Sequence, residues 1–136
     1  KGRINIPAKF RQSLTKNNQN TFVITRGLDP CVWVYPLVQW REIENNLRNL
    51  SSVKNINRTF MRNTARYASP TTYDKQGRIM ISPSLLKYSN ISKEVLIIGM
   101  INKIEIWDPG YLEKIDQHNL KNESDVYDDL ADKIIL

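Results

Sequence analysis

The sequence is short of the residues that carry most enzyme chemistry. Its 136 residues include one cysteine, Cys31, which excludes an internal disulfide framework and a cysteine-based zinc cluster. One histidine, His118, leaves little room for histidine-dependent catalysis. Only five glycines occur, and they do not gather into a phosphate-cradling loop. No run approaches the ~18 uninterrupted apolar residues of a membrane span. The aspartates Asp125, Asp128, Asp129 and Asp132 cluster near the end, but without the glycine-containing loop of a calcium site. These shortages point to a reducing cytoplasm and to a protein that binds rather than catalyses. We expect no enzyme activity, no cofactor, no metal and no membrane partner.

What is present suits a globular fold, with 40% hydrophobic and 25% charged residues. The net charge of +6 hides an asymmetry. Residues 1–78 carry 14 Lys+Arg against four Asp+Glu, and residues 79–136 carry six against ten, so the halves stand at +10 and −4. A basic face for a polyanion beside an acidic tail fits this pattern, and so does neutralisation within the protein or across a subunit boundary.

The chain also repeats itself. Gly2-Arg3-Ile4-Asn5-Ile6-Pro7 matches Gly77-Arg78-Ile79-Met80-Ile81-Ser82 at an offset of 75. Val23 to Leu28 aligns with Val95 to Met100, and Val32 to Pro36 with Ile104 to Asp108, at an offset of 72. This alignment sets Gly27 and Gly99 at matched hairpin turns, where a side chain is costly. Each half reads as strand, short helical turn, strand, tight turn, strand, helix. Period-two alternation sends the isoleucines of each Gly-Arg segment to one face and the arginines to the other.

Helices follow from three- and four-residue spacing. Leu37, Trp40, Ile43, Leu47 and Leu50 form one apolar face, with Pro36 at the first helical position. Asp108 caps the corresponding helix of the second half. A third helix, about 52–67, has no counterpart, and Ser69-Pro70 ends it. Its stripe of Lys54, Arg58, Arg62 and Arg66 suits a solvated face, phosphate contact, or docking against the acidic tail of a neighbour. The tail, 124–136, places Val126, Leu130 and Ile134 at four-residue steps. Neither half is large enough to bury its own sheet. We therefore expect both halves to interleave into one β-barrel with a pseudo-two-fold axis, bringing the two Gly-Arg turns together on one rim.

Lys1 to Arg11, Thr25-Arg26-Gly27-Leu28-Asp29, Val34-Tyr35-Pro36-Leu37 with Trp40, Asp74 to Arg78, and Glu105-Ile106-Trp107 together resemble the signature of the MraZ family. The resemblance covers roughly residues 1–116. It implies an α+β fold of two AbrB-like swapped-hairpin halves, with flanking helices. The halves would be 1–50 and 71–118, with an inserted basic helix at 51–70 and a C-terminal amphipathic helix at 119–136. It also implies a ring-shaped homo-oligomer and a sequence-specific, nucleoid-associated transcription regulator. Such a regulator would act on short repeated G-containing boxes in the promoter of the division and cell-wall gene cluster. The family's recognition motif is Asp, three residues, then Arg, once per half. Asp74 and Arg78 complete the second copy. The first keeps Lys1, Gly2 and Arg3, and its Asp would fall before residue 1, so a longer natural N-terminus is expected.

The chemistry fits double-stranded DNA. An arginine on an exposed strand presents a planar fork that matches guanine O6 and N7. Lys1, Lys9 and Lys75 suit phosphates. The Asp-to-Arg spacing equally serves to fasten a turn, which would occupy Arg78 on Asp74. The interface expected between subunits comprises Arg58, Arg62, Val126, Leu130 and Ile134. The alternative function is a ring-forming structural protein whose basic face binds RNA or another protein.

Overall fold

The structure is a computed structural model that describes residues 2–134. It is a mixed α+β fold. Among the described residues lie seven strands and six α-helices, and no helix is long and apolar enough to cross a membrane. The first half comprises β1 (Arg3–Asn5), α1 (Ala8–Arg11), a 3-10 turn (Lys16–Asn18), β2 (Thr21–Arg26), β3 (Val32–Pro36) and α2 (Leu37–Arg48). Next come α3 (Asn55–Tyr67) and β4 (Ser69–Thr72). The second half comprises β5 (Arg78–Met80), α4 (Pro83–Ser89), β6 (Leu96–Met100), β7 (Lys103–Trp107) and α5 (Pro109–Asn122), and α6 (Ser124–Ile134) follows.

All strand pairs are antiparallel, in two sheets. One is a two-stranded ribbon of β1 and β5; the other has five strands in the order β4-β2-β3-β7-β6. The halves therefore exchange their first strands and also meet at the β3–β7 seam. The pairing does not close the larger sheet into the expected barrel: β4 and β6 remain its edges. Ile4 and Ile79 from the ribbon, with Ile6 and Ile81 just beyond its strands, pack with Phe22, Ile24, Val32, Val34, Ile104 and Ile106 from the sheet. Burying four isoleucine side chains contributes ~6–12 kcal/mol as an upper bound, so apolar burial outweighs the ribbon's few hydrogen bonds. Val23 and Tyr35 face the other way, against Trp40 of α2, which is why β2 is buried on both faces instead of alternating.

Several local features differ from the sequence reading. The third helix begins at Asn55, with Lys54 in the capping position, so the basic stripe on α3 starts at Arg58. Ser69-Pro70 does end it, but the chain continues as edge strand β4, where Pro70 pairs with Val23. An edge strand tolerates the missing donor of proline. Pro36 closes β3 instead of opening α2. The Val38 N–H of α2 donates to Oδ1 of buried Asn18, at 2.9 Å. Asp108 caps α5 as expected, its carboxylate accepting from Tyr111 N–H at 3.0 Å.

The two hairpins differ by one residue. Gly27 N–H donates to Cys31 C=O across a loop of Leu28, Asp29 and Pro30, whereas Met100 pairs with Lys103 across two residues. The core-facing Phe22 and Ile24 then match Val95 and Ile97, an offset of 73 in these strands. A one-residue slip exchanges faces. Gly27 and Gly99 are thus not matched: Gly27 opens a loop, and Gly99 lies within β6 opposite Ile104. Neither has positive φ. A Cβ at Gly27 would lie 2.7 Å from Cys31 Sγ, so something there must shift, while one at Gly99 would lie 3.0 Å from Phe10 Cε1 and press on that ring.

Candidate nucleic-acid interface

The β1–β5 ribbon pairs Arg3 with Met80, Ile4 with Ile79 and Asn5 with Arg78. With the isoleucines inward, Arg3, Asn5, Arg78 and Met80 share the opposite face. The Gly-Arg turns do not meet on one rim. Because the strands run antiparallel, Gly2 and Gly77 lie at opposite ends of the ribbon, and what comes together is the two arginines. They are diagonal neighbours, with backbones about 7–8 Å apart by sheet geometry. Arg3 is exposed and makes no ion pair among the described residues.

Arg78 grows out of a turn organised by Asp74. Oδ1 of Asp74 accepts from the Gln76 and Arg78 N–H groups, both at 2.9 Å. Its Oδ2 accepts from Arg78 Nε at 3.0 Å. The Gly77 N–H donates to the Asp74 carbonyl at 2.9 Å, and Gly77 has φ +78°, a conformation that side chains disfavour. The Arg78 backbone N–H, followed by its guanidinium, holds the Asp74 carboxyl below its ordinary pKa. The same guanidinium reaches Gln76 Oε1 from Nη2 at 3.4 Å. Fastening Nε to Asp74 and Nη2 to Gln76 thus orients the fork and leaves Nη1 without a partner among the described residues.

The remaining expected residues fall into separate places. Lys75 is exposed on the turn itself. Lys9 is exposed on α1, with Nζ 5.0 Å from the Phe10 ring centroid. Lys1 lies outside the described residues. Arg58 is directed to its own helix start, donating to the carbonyls of Ser52 and Val53 at 2.8 and 2.7 Å and to Asn55 Oδ1. Arg62 is exposed. Val126, Leu130 and Ile134 stand 52%, 53% and 69% exposed, leaving the apolar stripe of α6 uncovered within the chain.

Two clusters had no local signal in the sequence. The Arg26 guanidinium lies 5.4 Å from the Tyr67 ring and 4.4 Å from the Tyr88 ring, and Tyr88 Oη donates to the Gly27 carbonyl at 2.9 Å. At the seam between the halves, buried Glu105 accepts from the indoles of Trp33 and Trp107 at 2.8 and 2.9 Å. Both clusters join residues tens of positions apart, beyond the reach of periodicity or spacing; the Trp107–Glu105 bond alone is local.

The fold and this face together define an internally duplicated α+β protein that presents an arginine from each half on one exchanged ribbon. The chain belongs to the MraZ family. A family model described as "MraZ protein, putative antitoxin-like" matches twice, over residues 1–63 and 65–132. The chain is 41% identical over 132 residues to the transcriptional regulator MraZ of Pediococcus pentosaceus, covering 97% of this chain and 90% of that protein. It is also 41% identical over 135 residues to the transcriptional regulator MraZ of Natranaerobius thermophilus, covering 99% and 89%. Both relatives bear the name of a regulator, not of an enzyme.

Proposed function

We propose that this chain is a DNA-binding transcription regulator that reads duplex DNA with the outer face of its exchanged ribbon. The observation that carries this reading is the register: Ile4 and Ile79 inward, Arg3 and Arg78 outward and adjacent. Arg3 and Arg78 are the base-reading groups, and Asp74 orients Arg78. Lys1, Lys9 and Lys75 contact phosphates, which add affinity without sequence information. The target is the set of short repeated G-containing boxes upstream of the division and cell-wall gene cluster, in the cytoplasm at the nucleoid. The two sheets are the walls of one AbrB-like swapped-hairpin unit, built from 1–50 and 71–118 around the basic helix of 51–70.

The working form is a homo-oligomeric ring. The uncovered stripe of Val126, Leu130 and Ile134, flanked by Asp125, Asp128, Asp129 and Asp132, suits the basic side of a neighbour's α3 at Arg62, next to Arg58. A contact between unlike surfaces closes into a ring or grows into a filament. A salt titration on duplex DNA tests the function. Several phosphate contacts give a steep fall in affinity with salt, and a specific site exceeds random duplex by at least ~10³. Equal affinity for the upstream boxes and a scrambled duplex would favour the alternative, a ring-forming protein with an RNA- or protein-binding basic face.

A further inference from the structure

Two side chains of the first half close over the Gly77 turn. Asn5 Nδ2 donates to the Gln76 carbonyl at 2.9 Å. Arg11, half-buried at the end of α1, donates from Nε to the Ile6 carbonyl at 2.8 Å, with Cζ 5.7 Å from the Tyr73 ring centroid. Its guanidinium fills the space above Gly77. A Cβ there would lie 2.6 Å from Arg11 Cζ and 2.7 Å from Nε. Ile6 N–H in turn donates to the Gly77 carbonyl at 2.9 Å, so Arg11 and the turn grip the two sides of one residue.

The repeat supplies an internal control. At the 75-residue offset Asn5 corresponds to Met80 and Arg11 to Leu86. The backbone obeys this offset: Arg11 N–H donates to Pro7 C=O at 3.3 Å and Leu86 N–H to Ser82 C=O at 3.0 Å. Likewise, Ile81 N–H donates to Gly2 C=O at 2.6 Å. The side chains break the symmetry. A Cβ at Gly2 would lie 2.8 Å from the Ile81 carbonyl oxygen, 3.3 Å from Met80 Sδ and 3.6 Å from Leu86 Cδ1. The Gly77 turn therefore rests against an asparagine and an arginine, whereas Gly2 faces a backbone carbonyl, a methionine and a leucine. The guanidinium thus stands over Gly77 alone; the repeat places a leucine at the equivalent position.

We propose that Arg11 is a positioning residue for Arg78, and that the two turns are unequal readers as a result. Arg11 pins the peptide planes around Gly77, which keeps the Arg78 N–H and Nε on Asp74 and fixes the direction of the free end of the fork. The Arg78 turn is stiff and discriminates bases strictly. Arg3, whose neighbour Gly2 lies against Met80 and Leu86 instead of a guanidinium, tolerates more variation. The inference rests on the reading of Arg78 as a base contact, and it deepens that reading by assigning the two arginines different stringency.

The test uses the full chain in its assembled form, with Arg11→Met, Arg11→Lys, Arg78→Ala and Arg3→Ala variants. Each is measured on the chain's own upstream duplex, its single-base substitutions and a scrambled duplex, and deuterium uptake of segment 73–79 is followed in parallel. Arg11→Met should lower the ratio of specific to scrambled affinity about tenfold. It should erase discrimination at the base position lost in Arg78→Ala and spare the position lost in Arg3→Ala. Arg11→Lys should lose the same discrimination while keeping scrambled-duplex affinity, since it retains the charge but not the planar cover. Segment 73–79 should take up deuterium faster in both Arg11 variants. An unchanged base profile overturns the proposal. So does an equal fall on both duplexes with a salt slope reduced by one phosphate, which would make Arg11 a phosphate contact. If Arg78→Ala leaves the base profile intact, the base-reading role of Arg78 fails instead. Deuterium uptake then still decides whether Arg11 holds the turn: faster uptake supports it, and unchanged uptake refutes it.

Discussion

Glu105→Gln isolates the seam between the halves. Glu105 lies opposite Trp33 in the β3–β7 pairing, and its two oxygens each accept an indole N–H, from Trp33 at 2.8 Å and Trp107 at 2.9 Å. Glutamine has the same shape but only one acceptor oxygen. Its amide nitrogen must face one of the two indoles, setting donor against donor in a site where Glu105 is 8% exposed. A buried donor left without a partner costs ~1–3 kcal/mol. With a urea dependence of ~1–3 kcal/mol per molar, the midpoint should fall by about 1 M. Tryptophan fluorescence reports the transition directly, because both partners are indoles. A second substitution sharpens the test. Trp33→Phe in the Glu105→Gln background removes one donor, so the double variant should lose less than the sum of the single losses. Strict additivity, or an unchanged midpoint in Glu105→Gln, would refute the assignment of Glu105 as the hydrogen-bonded link between the halves.

Arg3→Ala should keep fold and assembly, assessed by circular dichroism and light scattering, yet lose most specific binding. One bidentate guanine contact is worth ~1–3 kcal/mol, and a ring engaging several boxes multiplies the loss. Lys9→Ala should weaken all sequences alike and reduce the salt slope by about one phosphate in binding titrations at two ionic strengths. Asp74 is held below its ordinary pKa of 3.8, so its contribution to the turn is fully present above that value and is lost as pH falls through the lower folded value. Through Asp74 alone, specific binding should be flat from about pH 5 upward, and Asp74→Asn should reduce it at neutral pH in the same assay. Cys31 is fully buried, and burial pushes its thiol up. It should resist a thiol reagent at pH 8 and react once the protein is unfolded in urea. Leu130→Asp should shrink the assembly seen by light scattering without loss of helix content; an unchanged mass would remove α6 from the interface.

The sequence announces those parts of the fold that rest on local patterns. The spacing of Leu37, Trp40, Ile43 and Leu47 marks α2, and Asp108 marks the start of α5, because side chains one turn apart make those elements. The duplicated Gly-Arg-Ile segments mark the ribbon, although they do not reveal that antiparallel pairing sends the turns to opposite ends. Strand β4 escaped notice because Ser-Pro-Thr-Thr reads as a helix stop, and its pairing with β2 is a tertiary event. The hairpin slip escaped because two glycines near two turns look equivalent until burial shows which neighbouring residues face the core. At the candidate site, the Asp74–Arg78 clasp was visible as a four-residue spacing. Arg11 above Gly77 was not, since it depends on where α1 lies after the ribbon has formed.

The exchange of first strands sets an order on synthesis. Ile4 pairs with Ile79, 75 residues downstream, and Ile6 is fully buried in the same core. At ~5–20 residues per second, the nascent first half waits about 4–15 s with these isoleucines uncovered. During that interval β1 has no β5 to pair with, and an unpaired strand edge with alternating apolar residues is prone to pair with other chains. Only when β5 emerges can the first half make the bonds that close the ribbon here, from Asn5 Nδ2 to the Gln76 carbonyl and from Ile6 N–H to the Gly77 carbonyl.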